Sequence, residues 1–285
     1  MSVQQLFPPG GQSRALHGLY LNNGLHRLAP ENEIFIYANY IASLDGRIAT
    51  LSDDGHEFVV PASIANPRDW RLYQELAAQS DIMLTSARYF RQQAKGCSQD
   101  LLSLGREENS TDLIMWRQQQ GLQPQPDVLV ISASLDIPPE QLRCLNDRQV
   151  LIATCTASDG ARRAFFERQG YPVLLAGDVR VDGALLRRKL CERGYRSAYM
   201  VAGPEVHHTL LAAGALDALF LTTHLGLLGG EAFHTITYGA LLQSTQLQLE
   251  SLYLDQQPDS SQLFARYAIR YAAAGPEMLA LNVVE

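Results

Sequence analysis

Ser43, Asp45 and Arg47 alternate in Ser43-Leu44-Asp45-Gly46-Arg47, which sets a hydroxyl, a carboxylate and a guanidinium around a flexible glycine. Such a set can orient a carbonyl, hold or release a proton, or pair with an anion. A second cluster, Thr85-Ser86-Ala87-Arg88, offers two hydroxyls and a cation. In a third, Val201-Ala202-Gly203-Pro204-Glu205, a glycine and a proline precede an acid. Each cluster follows a short apolar run, so each falls where a strand gives way to a turn or a helix. Open α/β sheets bind ligands beyond the carboxyl ends of their strands. Helices opening at Ser86 and Pro204 would add free N–H groups for a phosphate. Ser86 also reads as a helix N-cap, and a cap and a phosphate contact are compatible. Taken alone, 43–47 reads equally well as a surface turn, and 201–205 as a tight turn.

The elements that must position these clusters follow from the apolar pattern. Strands are expected at 34–41, 81–85, 127–132, 149–154, 172–176 and 198–202, each short and apolar, as in strands buried on both faces. Asn66-Pro67-Arg68-Asp69 starts a helix, Ser86 opens another, and 111–119 is amphipathic. Asp159 and Asp182 cap helices that end at Gly170 and Gly194, and Glu205–Ala213 is a short helix. Beyond 215, Leu216–His224, Gln246–Leu254 and Leu263–Tyr271 follow without helices, so they are expected to pair antiparallel at one edge. The fold class is α/β, a mixed and mostly parallel sheet with helices on both faces and antiparallel C-terminal strands. Residues 1–32 read as an irregular arm, 33–285 as one domain, and about 96–126 as an insertion.

Composition narrows the function. The chain has 285 residues, 46% of them hydrophobic, enough for a sizeable core. Thirty acidic against 23 basic residues give a net charge of -7, with no basic cluster, which argues against a nucleic-acid partner. A phosphorylated small molecule would need only a local arginine fork; Arg47, Arg68 and Arg71 are candidates. Cys97, Cys144, Cys155 and Cys191 are scattered, and His207, His208 and His224 lack metal-ligand spacing, so no metal is expected. No secretion signal or membrane-spanning run is seen, and a cytoplasmic location is expected. Gly-x-Gly-x-x-Gly, Walker and Gly-x-Ser-x-Gly motifs do not occur.

Several segments, in order, carry a resemblance. They are Ala42-Ser43-Leu44-Asp45-Gly46-Arg47-Ile48-Ala49, Ser80-Asp81-Ile82-Met83-Leu84-Thr85, and Asp127-Val128-Leu129-Val130-Ile131-Ser132 with Leu135-Asp136-Ile137-Pro138. Val201-Ala202-Gly203-Pro204 and Leu210-Leu211-Ala212-Ala213-Gly214-Ala215-Leu216-Asp217 complete the set. Across about 34–270 the chain resembles the pyrimidine reductase family of riboflavin biosynthesis, the reductase half of the deaminase-reductase, with its dihydrofolate-reductase-like fold. The resemblance implies NADPH-dependent reduction of a ribosylamino-pyrimidine phosphate and a homodimer, while the charge balance and the short apolar runs leave no membrane or nucleic-acid partner expected. It places Asp45 and Ser43 at the reaction and Asn39, with Arg47 and Arg68 as phosphate candidates, at the substrate. Thr85, Ser86, Arg88, Ala202, Gly203, Pro204 and Glu205 fall at the cofactor. The chain departs from the family in reading Val201-Ala202-Gly203 where Glu-Gly-Gly is usual. It also lacks the Asp-Asn-Pro loop in 96–126 and the zinc signature of the deaminase half. A stand-alone reductase is expected; a binding protein on the same fold, or a reductase of a pterin-like substrate, remains open.

Overall fold

A computed structural model describes residues 1–52, 55–97, 102, 104–105, 110–241, 245–258 and 260–272. Along the chain, β1 (Ser2–Phe7) and β2 (Ser13–Ala15) form a hairpin, followed by 3-10 turns at Leu21–Asn23 and Leu25–Arg27. β3 (Phe35–Ser43) leads into β4 (Ala49–Leu51) and β5 (Phe58–Val59). α1 (Pro67–Ala77) precedes β6 (Ile82–Ser86), which passes directly into α2 (Ala87–Ala94). Alternation continues through α3 (Thr111–Gln119), β7 (Asp127–Ile131), α4 (Pro139–Leu142) and β8 (Val150–Thr154). Next come α5 (Gly160–Arg168), β9 (Val173–Leu175), α6 (Gly183–Glu192), β10 (Ser197–Met200) and α7 (Pro204–Ala212). β11 (Ala218–His224), β12 (Phe233–His234), β13 (Thr245–Gln256) and β14 (Ser261–Tyr271) are the last described elements.

Eleven strands form one sheet in the order β2-β1-β13-β14-β11-β3-β10-β6-β7-β8-β9, and β12-β4-β5 form a small second sheet. From β11 to β9 every neighbouring pair is parallel; the β2-to-β11 part is antiparallel. This is the mixed, mostly parallel sheet expected. Central β3 shows why its sequence is nearly all apolar. Tyr37 enters one core with Leu72 and Leu76 of α1 and Phe90 of α2, while Ile36 and Ala38 enter the other with Leu186 of α6 and Leu210 of α7. Both faces of the strand are therefore out of water, and helices cover both faces of the sheet. No helix among the described residues is long and apolar enough to cross a membrane.

Two expectations need correction. The first 32 residues are not an irregular arm: β1 pairs with β13 and β2 with β1. Val3 and Gln5 point inward and Ser2 and Gln4 outward, but the glutamines hide this alternation in the sequence. The following turns are held from a distance. Buried Glu75 accepts from the backbone N–H of Gly18 (2.6 Å) and Tyr20 (2.9 Å), and Gln79 accepts from that of Leu25 (2.9 Å). Accordingly β13 and β14 do not form the sheet edge; the hairpin closes it beyond them. The helix expected at 111–119 is α3, while 98–101, 103 and 106–109 of the expected insertion lie outside the described residues.

Candidate active site

A cavity of about 790 Å³ opens beyond the carboxyl ends of β3, β6 and β10. Asn39, Tyr40 and Ile41 reach it from β3, and Thr85, Ser86 and Arg88 from the β6–α2 junction. Ala202, Gly203 and Pro204 reach it from the turn between β10 and α7, and Asp69, Trp70 and Tyr73 from the first turns of α1. Phe58 and His234 of the small sheet close another side.

The two strand–helix junctions are built alike. Ser86 stands at the N-cap of α2 in extended conformation, yet its hydroxyl makes no capping hydrogen bond. Gly203 is the N-cap of α7, with Pro204 in the first turn and no side chain capping it. A Cβ at Gly203 would meet no protein atom within 4 Å, so it would project into open space at the cavity wall. Arg88 donates to the Phe58 carbonyl (2.9 Å), with Glu57 3.7 Å away. Two uncapped helix starts, a free hydroxyl and a guanidinium together make an anion-binding end. His234 is held below its usual pKa, first by burial and then by the charge of Arg88.

The lining also carries a carboxylate. Asn66 caps α1, its side-chain oxygen accepting from the N–H groups of Arg68 (3.1 Å) and Asp69 (3.0 Å). That turn carries Asp69 to the cavity with 9% of its surface exposed and no hydrogen bond to Oδ1. Burial pushes its carboxyl up to about 6, against a smaller opposing pull from the Thr222 hydroxyl. Beside it, Trp70 and Tyr73 stack with centroids 4.7 Å apart at 10°.

Of the expected site residues, the structure places Asn39, Thr85, Ser86, Arg88, Ala202, Gly203 and Pro204 on this cavity. Ser43, Asp45, Arg47, Arg68 and exposed Glu205 do not line it. Ser43 and Asp45 are together: the Ser43 hydroxyl donates to Asp45 at 2.5 Å. Asp45 also accepts from the N–H groups of Leu228 (3.2 Å) and Gly229 (2.9 Å) and pairs with Arg47 at 2.6 Å. The Ser43 hydroxyl bond first, then the Gly229 N–H, lowers the Asp45 carboxyl to about 2. Asp45 thus ties the 43–47 turn to the glycine loop at 226–230, between cavity residues Ile41 and Ile48. Arg68 is occupied elsewhere, donating to both oxygens of buried Asp255 at 2.6 Å. Asp69 is the residue sequence reasoning missed as a site. An acid three positions after a helix cap reads as part of the cap, and only the fold shows it facing a cavity.

The model of the family described as the RibD C-terminal domain matches residues 34–257. None of the curated proteins matches the chain. Among solved structures, a pyrimidine reductase-like protein of Corynebacterium diphtheriae is 19% identical with a TM-score of 0.63, over 90% of this chain and 99% of its own. RibD of Acinetobacter baumannii is 16% identical with a TM-score of 0.56, over 84% of this chain and 59% of its own. The riboflavin biosynthesis reductase Rib7 of Saccharomyces cerevisiae is 14% identical with a TM-score of 0.55, over 88% and 99%. At these identities the likeness to the solved structures is one of fold.

Proposed function

Because the chain belongs to the RibD C-terminal domain family, a family of reductases, we propose that it is an NADPH-dependent reductase of a pyrimidine-type small molecule. The observation that carries this is the polarity of one cavity. An anion-binding end made by Ser86, Arg88 and Gly203 shares this cavity with the buried carboxyl of Asp69, whose Oδ1 has no hydrogen-bond partner. The first end fits a dinucleotide phosphate, having two helix starts without side-chain caps and open space beside Gly203. When bound, NADPH supplies the hydride. Ser86 and Arg88 would hold cofactor phosphate, and Thr85, Ala202 and Pro204 would shape the wall.

Hydride addition leaves the substrate one proton short, and Asp69, the one carboxyl among the described lining residues, would supply it. With a carboxyl near 6 it is protonated at mildly acidic pH and still a useful acid near neutrality. Asp45, near 2 and held by the 226–230 loop, stays ionised; it and Ser43 position the strand end that presents Asn39 and Ile41. Half-buried Trp70 and buried Tyr73 offer the ring a flat wall.

Isothermal titration calorimetry with NADPH, beside NADH, tests the reading. Micromolar NADPH binding is expected, weakened at least about tenfold in Gly203→Val by a side chain filling the cradle. If neither nucleotide binds at millimolar concentration, the reading fails. In steady-state assays Asp69→Asn should lower kcat by about 100-fold or more, in the range of a lost general acid.

A homodimer belongs to the same proposal. In the register of β13 and β14, Leu254 faces Leu263, Leu252 faces Ala265 and Leu249 faces Tyr267, and Phe7 of β1 lies opposite Leu252. Cross-strand partners share a face, so these side chains make one surface without a charge, on which Leu247 is 47% and Phe7 38% exposed. Two-fold pairing of such a face sets like apolar residues together with no charge repulsion.

A further inference from the structure

The side-chain amide of Asn66 starts α1 only if it sits one way round. Its oxygen accepts from the N–H groups of Arg68 (3.1 Å) and Asp69 (3.0 Å), and its nitrogen donates to the Ile64 carbonyl (3.1 Å). Turned by 180° the amide keeps its shape but exchanges acceptor for donor, and the cap is lost. Gln262, at the start of β14 and 1% exposed, meets it amide to amide. The Gln262 oxygen accepts from Asn66 Nδ2 at 2.8 Å, and Gln262 Nε2 donates to Asn66 Oδ1 at 3.1 Å. Gln262 is fixed in turn by Asp255, its cross-strand partner on β13, which accepts from Nε2 at 2.9 Å. Asp255 is fully buried and paired with Arg68 through two bonds of 2.6 Å. A carboxylate accepts and does not donate, so only the nitrogen of Gln262 can face it. The charge of Asp255 therefore decides the sense of both amides.

We propose that Gln262 is a positioning residue for the reaction, setting through Asn66 how the first turn of α1 meets the cavity; this rests on the reductase reading of that cavity. Asn66, Asp69 and Trp70 all line it, whereas Gln262 stands behind them on the sheet. With the amide pair closed, the cap holds one geometry for the carboxyl of Asp69 and for the Trp70 ring, which stacks on Tyr73. With the pair broken, the Asn66 amide is free to turn and the first turn of α1 loosens. A misplacement of about 1 Å at a reacting group is enough to cost on the order of 100-fold in rate. Ser86, Arg88 and Gly203 hang on other elements, the β6–α2 and β10–α7 junctions, so the anion-binding end does not depend on this relay.

The test is Gln262→Met in the full-length protein, which keeps the length of the side chain and removes its three hydrogen bonds. Asp255 retains Arg68 and the Gln257 amide (3.1 Å), so the variant is expected to fold. Should it not, Gln262→Asn, with an amide one methylene short of bridging Asn66 and Asp255, takes its place. With NADPH and a ribosylamino-pyrimidine phosphate, kcat is expected to fall about tenfold or more while the NADPH dissociation constant stays within about twofold. Combined with Asp69→Asn, the losses should not add, because Gln262 acts through that turn. An unchanged kcat, fully additive losses, or an equal loss of NADPH affinity overturns the proposal. Fluorescence reads the geometry without a reaction. In a Trp116→Phe background Trp70 is the one tryptophan, and Gln262→Met should raise its acrylamide quenching about twofold as the turn opens. Unchanged quenching overturns the proposal. Wild type that binds no NADPH sinks the reductase assignment instead, and the quenching comparison still decides whether Gln262 sets the turn.

Discussion

Asp69 keeps a carboxyl out of water without a full set of donors, and that has a signature in stability. Its folded-state pKa of about 6 lies above the ordinary 3.8, so the native state holds the proton more tightly than the unfolded chain. Stability from this group is therefore highest below about pH 4 and declines as pH rises to about 6. Above that the deficit is on the order of 3 kcal/mol, from roughly 1.4 kcal/mol per pH unit. Asp69→Asn should thus raise the melting temperature by several degrees at neutral pH while it lowers kcat, a pairing that a merely structural aspartate would not give. Asp45 runs the other way: its lowered carboxyl stabilises above about pH 4, and that contribution fades as pH falls toward 2. Its loss in Asp45→Ala should appear as faster amide exchange at Leu228 and Gly229, read by hydrogen-exchange mass spectrometry. Arg68→Ala should cost about 3 kcal/mol in chemical denaturation, because it leaves buried Asp255 without its cation. At this scale the sequence was only partly legible. Ser86, Arg88 and Gly203 were visible because strand ends advertise themselves by type and spacing. Asp69 hid inside a capping pattern, and Asp255, the carboxylate that holds Arg68, lies 187 residues away.

Among elements, the parallel strands and their helices were readable because each is a short apolar run bounded by a cap or a glycine. Asp159 accepts from the N–H groups of Ala161 (2.7 Å) and Arg162 (3.2 Å), and Asp182 from that of Leu185 (2.7 Å), as their positions implied. The N-terminal hairpin was not readable, since its pairing with β13 brings together segments far apart in the sequence and its alternation is carried partly by glutamines. The small β12-β4-β5 sheet was missed for a similar reason: two- and three-residue strands hold too few positions to show a period. The hairpin is more than decoration. It covers the β13 edge, buries Val3 and supplies the Ser2 carbonyl that Arg68 reaches at 3.0 Å. Removing residues 1–15 should therefore lower the melting temperature and promote association through the bared strand, seen by calorimetry and light scattering.

At the scale of the whole molecule, one sheet separates two jobs. Its parallel half ends in the cavity, and its antiparallel half spreads the uncharged face of β1, β13 and β14. Leu252→Asp places a charge in the middle of that face, and is expected to convert a dimer to a monomer in size-exclusion with light scattering; an unchanged mass would remove this face from the interface. The fold class followed from the alternation of strands and helices, whereas the face depends on cross-strand register, which no single segment displays. The most direct measurement for the reductase reading is the pH dependence of NADPH oxidation with a ribosylamino-pyrimidine phosphate, in wild type and Asp69→Asn. With Asp69 giving the proton, wild-type kcat should be level below about pH 6 and fall toward tenfold per unit above it, while Asp69→Asn is slow and flat. An identical profile in both proteins, or no NADPH oxidation by wild type, would contradict it.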